Sequence, residues 1–269
     1  MPEGDTIFRA AAQLRGALAG KTLVELEVRR DPRGRRGPEP GTTITAVEAT
    51  GKHLLVHFDD GHVLHTHMQM TGGWHVYPDA STRWRRPAHT ARIVLRVDDG
   101  TTAVCFGAPI VELRRERDER VTRATRMLDN LGPDLCAAEF DVDAALERMA
   151  SVPAETELGA VLLDQRVAAG IGNVYKSEVC WAERLSPFTP IGSLDDATRR
   201  RIYETARHQL TSNLGTGGRA TYGRGLAVYG RARRPCPRCR APSVSRRDQS
   251  ARSTYWCPRC PPEPPPSAP

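Results

Sequence analysis

The spacing of apolar positions changes period after the first helical stretch and again near the middle of the chain. Over residues 3–19, Ile7, Ala11, Leu14 and Leu18 fall on one stripe, which predicts an amphipathic helix. Gly20 is placed to end it. From Lys21 to about Phe106 the period is two. Leu23–Val28, Thr43–Val47, His53–Phe58, Val63–Met70 and Ala91–Val97 alternate as half-buried strands do. Turn signals separate them at Asp31-Pro32, Gly41, Asp59-Asp60-Gly61, Gly72-Gly73 and Asp98-Asp99-Gly100. Short strands joined by tight turns predict an antiparallel β-sandwich behind the leading helix. Arg33–Pro40 reads as a polar loop, and Arg114–Arg126 as a charged connection or short helix.

Helical spacing returns at Val142–Met149, Leu158–Arg166, Asn173 to about Glu183, and Leu194–Leu214. Between the second and third of these, Gly170 and Gly172 mark a helix–turn–helix hairpin, with Asn173 suited to cap the helix that follows. Backbone N–H groups at such a turn can hold a phosphate. Gly215–Gly225 is glycine-rich and reads as a linker or a loop near a ligand. The expected class is therefore α+β and multidomain, with a sandwich domain over 1–130 and a helical domain over 131–227. A cysteine-rich module follows over 228–262, and a proline-rich, disordered tail over 263–269.

Charge sharpens this picture. The 269 residues carry a net charge of +7 and a pI near 9.3, which suits a polyanionic partner. From Arg199 to Cys260 there are fifteen Arg, no Lys, and only Glu204 and Asp248 as acids. Guanidinium matches phosphate bidentately, so an all-Arg field points to phosphate binding. No apolar run approaches the roughly 18 residues of a membrane helix, and no signal peptide opens the chain. The expectation is a cytoplasmic protein with no membrane partner, a compartment in which cysteines serve as metal ligands or free thiols.

Cys236-Pro-Arg-Cys239 and Cys257-Pro-Arg-Cys260 stand seventeen residues apart. Two such knuckles are the signature of a zinc ribbon. Four thiolates close a tetrahedral site and leave no open position, so the expected cofactor is one structural Zn2+. Arg246, Arg247 and Arg252 fall between the knuckles, and Cys105, Cys136 and Cys180 read as buried thiols.

The other candidate chemistry lies at the start. Removal of Met1 leaves Pro2 as a free secondary amine, able to attack a sugar C1′ or a carbonyl and form a cationic iminium. Glu3 beside it is a candidate proton donor or acceptor. Lys52 opens a strand. His65-Thr66-His67 is a possible metal pair without an evident third ligand. Gln69-Met70-Thr71 ends its strand at a turn, where a long side chain can wedge into a base stack.

Taken together, the Met-Pro-Glu-Gly start, Gly51-Lys52-His53-Leu54-Leu55, Leu162–Arg166 with Ala169–Tyr175, and Arg252–Cys260 resemble the formamidopyrimidine-DNA glycosylase/endonuclease VIII family, over residues 2 to about 260. The start and the knuckle context are more similar to the endonuclease VIII branch, in its actinobacterial form. The resemblance implies a bifunctional base-excision repair enzyme acting as a monomer on damaged DNA. It would remove oxidised bases and then cut the strand by β,δ-elimination. It implies Pro2 as nucleophile, Glu3 as acid/base residue and Lys52 as a phosphate contact that assists protonation. It implies phosphate contacts from Asn173, in a helix–two-turn–helix motif, and from Arg252 in the ribbon, and DNA binding by Lys176 at a basic position of that motif. Gln69, Met70 and Thr71 would fill the space left by the flipped base.

Two departures bear on specificity. Many family members carry a second Glu where this chain has Thr6, and Asp5 replaces a common Pro. The Arg-Arg-Phe-Gly segment of the formamidopyrimidine branch appears as Val104-Cys105-Phe106-Gly107. Both argue against 8-oxoguanine as the preferred substrate; the expected substrate class is oxidised pyrimidines. Two other readings stay open at this point: a catalytically impaired DNA-binding protein of the same fold, and an N-terminal-proline enzyme acting on a small carbonyl compound.

Overall fold

The computed structural model describes residues 2–29, 37–115, 123–215, 217–242, 244–249 and 252–261, without the side chains of 123–125 and 244–248. Residues 33–36 of the Arg33–Pro40 loop, all of the 263–269 tail, and the Arg246 and Arg247 side chains lie outside the described residues. The chain divides into two compact units, Met1–Asn130 and Leu131–Pro269.

In the first unit, helix α1 (Gly4–Leu18) precedes eight strands and a short helix. The strands are β1 (Leu23–Val28), β2 (Ile44–Thr50), β3 (His53–Phe58), β4 (His62–His67), β5 (Gly73–Tyr77), β6 (Ala91–Val97), β7 (Thr102–Phe106) and β8 (Ile110–Arg115), and the helix is α2 (Arg123–Asp129). They form two four-stranded antiparallel sheets, ordered β1-β6-β7-β5 and β2-β3-β4-β8. The predicted stripe of α1 is buried: Ile7, Ala11, Leu14 and Leu18 pack into one core with Leu54, Val56, Leu64, Ile93 and Leu95 from the two sheets. Each such Ile, Leu or Val side chain contributes about 1.5–3 kcal/mol when removed from water.

The structure corrects several expected boundaries. Gly73 begins β5 instead of completing a turn, and Arg114 and Arg115 end β8 instead of lying in a surface connection. Strand β7 showed no alternation because all five of its residues are buried. The residues before β6 cover its outer face, where Tyr77, Val94, Val104 and Phe106 form a satellite cluster against Trp84.

In the second unit the helices are α3 (Val142–Ala150), α4 (Leu158–Leu163), α5 (Asn173–Ala182) and α6 (Asp196–Thr211), and a hairpin of β9 (Val244–Gln249) and β10 (Arg252–Trp256) follows. Asp141 and Asp195 cap α3 and α6, accepting from the N–H of Ala144 at 2.9 Å and of Thr198 at 2.7 Å. Helix α4 stops at Leu163, short of the expected Arg166, because the Asp164 carboxylate accepts the Arg166 N–H and turns the chain. Gln165 then staples the double turn between α4 and α5. It donates to the carbonyls of Leu163 and Ile171 and accepts the Gly170 N–H. Gly170 sits at φ +111, a conformation open to glycine. No helix among the described residues is long and apolar enough to cross a membrane.

Candidate active site and nucleic-acid interface

Pro2 lies directly ahead of α1 and is partly exposed. Glu3 is the N-cap of that helix: its carbonyl accepts the N–H groups of Thr6 and Ile7, and the whole residue is buried. Asp5 is also buried, bonded to the Thr6 hydroxyl and paired with Arg9 at 3.3 Å, one turn along.

Lys52 occupies the second position of the two-residue turn between β2 and β3, where Thr50 pairs with His53. Gly51, at φ +56, takes the first position, which demands a left-handed backbone. Lys52 stands next to a histidine cluster. His53 pairs across the sheet with His67, and its Nδ1 lies 2.8 Å from His65 Nε2. Sequence reading found His65 and His67 but missed His53. Its place follows from the β3–β4 register, which cannot be read until the hairpin is known. Burial first, then neighbouring positive charge, lowers all three: His53 to about 3, His65 to about 4 and His67 to about 4. Lys52 contributes to the lowering at His53 and His67.

The imidazoles are thus neutral at working pH, and the linkage has a definite sign. The unfolded histidines take up protons near pH 6.5, whereas the folded ones resist until about pH 4 or below. Stability is full above pH 6.5 and falls as pH drops through that window. At pH 5.5 each fully protected imidazole costs about 1.4 kcal/mol. Thermal melts at pH 7.5 and 5.5 should therefore show marked acid destabilisation, smaller in His65→Asn. A melting temperature that is equal at the two values rejects the buried neutral cluster.

Gln69, Met70 and Thr71 form an exposed tip after β4, with Met70 65% exposed. The Gly72 N–H closes the turn on the Met68 carbonyl at 2.8 Å, and a Cβ at Gly72 would stand 2.6 Å from that oxygen. Gln69 takes φ +46 and donates its N–H to His67 Nδ1. The strained, tightly closed turn holds Met70 outward.

In the second unit the candidate residues gather on α5 and the hairpin. Gly172, and not Asn173 as expected, is the N-cap of α5. Asn173 is buried, and its amide donates to the Ser253 carbonyl at 2.6 Å, fixing the backbone beside exposed Arg252. Lys176 corrects a second expectation. It is fully buried, with Nζ bonded to Gln249 Oε1 at 3.2 Å and Thr254 Oγ1 at 2.8 Å. It ties α5 to the hairpin and is not placed to meet a phosphate. Gln249 in turn donates to Glu157 Oε2 and the Pro187 carbonyl. Glu178, also buried, accepts the N–H groups of Ala227, Val228 and Tyr229 and the Thr221 hydroxyl. Little in the sequence marks Gln249 on β9 or Glu178 on α5, because a polar residue on a strand or helix reads as solvent-facing until its partners are known.

The four knuckle cysteines converge, with all ligand sulfurs within 4.8 Å of one another. Sγ separations are 3.6 Å for Cys236 and Cys260, 3.4 Å for Cys239 and Cys257, and 3.7 Å for Cys239 and Cys260. Tetrahedral thiolates about 2.3 Å from a zinc ion would lie about 3.8 Å apart, so the residues fit that ion. Burial and the neighbouring thiols push Cys260 up. At Cys236 burial acts upward but is outweighed by N–H donors from Cys239, the Trp181 indole and Arg238. Four crowded sulfurs cannot all ionise without a cation among them. This is the group of metal-ligating side chains found among the described residues. Cys105 and Cys180 are buried thiols, pushed up to about 12 by desolvation and so unreactive.

Comparison with known proteins agrees with both units. Residues 1–108 match the formamidopyrimidine-DNA glycosylase N-terminal domain, and residues 131–223 match the H2TH domain of the same family. A probable endonuclease 8 2 of Streptomyces coelicolor is 41% identical, over 97% of this chain and 94% of its own. The DNA-(apurinic or apyrimidinic site) lyase Nei2 of Mycolicibacterium smegmatis is 38% identical, over 97% and 98%. The crystal structure of MutM (Fpg) from Thermus thermophilus superposes with a TM-score of 0.77 at 29% identity, covering 96% of this chain and 98% of the other.

Proposed function

The chain belongs to the formamidopyrimidine-DNA glycosylase/endonuclease VIII family, and from that premise we propose that it is a DNA glycosylase and abasic-site lyase that excises oxidised pyrimidines. The observation that carries this reading is the partly exposed Pro2 ahead of α1, followed by the buried carboxylate of Glu3, in a chain similar along 97% of its length to an abasic-site lyase. A base inside a duplex cannot be reached and must be flipped out, which costs a few kcal/mol. The exposed tip at Gln69, Met70 and Thr71 fills the vacated space. Phosphate contacts from Lys52 and Arg252 hold the distorted backbone.

The Pro2 nitrogen attacks C1′, and the glycosidic bond breaks as its electron pair leaves with the base. The Pro2 N–H proton passes to the Glu3 carboxylate, and opening of the C1′–O4′ bond, with Glu3 handing that proton to O4′, gives the iminium. The iminium acidifies the C2′ proton. Its loss expels the 3′ phosphate, and loss of the C4′ proton then expels the 5′ phosphate. No activated water is needed to release the base. The four cysteines hold one structural zinc, which supplies folding energy to the hairpin. The competing reading as an impaired DNA-binding protein predicts binding without covalent trapping. The small-carbonyl reading leaves the fifteen-Arg field without a role.

Arg252 offers a test of the interface. It opens β10, exposed, with its neighbour Ser253 fixed by Asn173. A charge-assisted phosphate bond contributes about 1.5–3 kcal/mol. Arg252→Ala should therefore slow base excision about 10–100-fold. Cleavage of a preformed abasic site should suffer less, because flipping is easier without a base. Single-turnover assays on both substrates check this. Equal, small losses in Arg246→Ala and Arg252→Ala would remove Arg252 from the interface.

A further inference from the structure

The residues between β5 and β6, 78–90, form an ordered loop that the catalytic reading does not use. Its start is held by Asp79, whose carboxylate accepts the N–H groups of Ser81 at 2.8 Å and Thr82 at 3.0 Å. Its middle is anchored by Trp84, edge-on to Phe106 at 5.6 Å between ring centroids, with the Arg29 guanidinium 5.6 Å from the Trp84 ring centre. The Arg85 N–H donates to the Tyr77 hydroxyl at 3.0 Å, and the Thr90 hydroxyl donates to the Pro87 carbonyl. From this fixed base the loop presents Arg83, Arg85 and Arg86, all exposed. They border an open hollow of about 620 Å3, lined also by Thr82, Trp84 and Ala88. After burial, the field of Arg86 and Arg85 holds His75 below its ordinary value.

One guanidinium reaches out of the loop. Arg86 Nη1 donates to the Thr71 carbonyl at 2.8 Å. Thr71 is gripped from its other side as well, since its hydroxyl donates to the Gly107 carbonyl at 3.1 Å. Gly107 sits at φ +61, and a Cβ there would lie 3.1 Å from Thr71 O. The exposed tip at residues 69–71 is therefore wedged between the β7–β8 turn and the arginine loop.

We propose that this loop is a phosphodiester-binding brace: Arg83 and Arg85 grip a DNA backbone, and Arg86 holds the 69–71 tip in its outward position. Two guanidinia on a rigid frame match the planar, bidentate geometry of phosphate oxygens. Being exposed, they bind without the desolvation cost of a buried charge. The loop couples backbone binding to wedge placement, because Arg86 follows Arg85 directly. Arg86 is a positioning residue, acting through Thr71. The proposal rests on the DNA-repair reading for the identity of the polyanion.

The test uses the full chain and a duplex carrying a tetrahydrofuran abasic analogue, which requires no chemistry, with 2-aminopurine beside it to report unstacking. The double variant Arg83→Ala/Arg85→Ala should bind about tenfold more weakly, and its log affinity against log salt should flatten by about 1.8, the value for two phosphate contacts. Arg86→Ala should bind within a few-fold of the parent but lose most of the 2-aminopurine signal, and Arg86→Lys, which keeps a donor for Thr71 O, should restore it. Parental affinity and salt slope in the double variant overturn the proposal. So does a 2-aminopurine signal in Arg86→Ala that falls only in proportion to lost folded protein. If the parent excises no base while the binding results hold, the enzymatic reading fails and the brace stands. If excision is intact and the binding arms fail, the brace alone is rejected.

Discussion

Sodium borohydride should trap the protein covalently on a duplex with an abasic site, and one additional residue ahead of Pro2 should abolish the trapping. A free proline nitrogen has a lone pair to form the C1′ bond, whereas an acylated proline nitrogen is a tertiary amide with its lone pair delocalised. The extended protein keeps every other side chain, including buried Glu3 and the Lys52 turn, so its loss reports the nucleophile alone. Losing a nucleophile in a covalent enzyme costs on the order of a thousandfold or more. Pro2→Gly retains an amine, now primary, and should trap more weakly but measurably. Peptide mapping of the reduced adduct should place it on residue 2. Trapping that survives the extension, with the adduct on Lys52, would overturn the assignment.

Legibility in the sequence followed how local the governing physics is. The α1 stripe of Ile7, Ala11, Leu14 and Leu18 was readable because one face meets the core and the other meets water. The cysteine knuckles were readable because ligand spacing within each is set by a single turn of chain. Strand β7 was opaque because burial on both faces erases alternation. Lys176 misled for a related reason. A lysine on a DNA-binding helix reads as a phosphate contact, yet Gln249 and Thr254, more than seventy positions away, take its ammonium inside. Asn173 was expected to cap α5, but its amide instead reaches Ser253 in the ribbon. The bond from Arg86 to Thr71 O depends on two loops meeting across the sheet, which no spacing rule reveals. The candidate nucleophile and metal ligands were thus legible one by one, while the contacts that position them were not.

Removing the metal should be the most damaging change to the second unit, and its effect should stop there. Zinc binding by four thiolates contributes roughly 10–16 kcal/mol to small ribbons, as much as the whole stability of a typical domain. In Cys257→Ser, or after chelation, the β9–β10 hairpin should unfold. Its loss would free the Trp181 indole from Cys236 Sγ and the Arg238 guanidinium from its seat 4.0 Å from the Trp181 ring centre. It would also strip Lys176 of Gln249 and Thr254, its partners on the hairpin. Helix α5 should therefore loosen along with the hairpin. DNA affinity should fall about 10–100-fold, the size of the Arg252 contact, because Arg252 loses its fixed frame. The sandwich of the first unit has its own core and should stay folded. Limited proteolysis should accordingly cut within 131–269 and spare 1–130, and elemental analysis of the parent protein should find one zinc per chain. Metal-free protein that retains full DNA affinity would reject the structural role of the four cysteines.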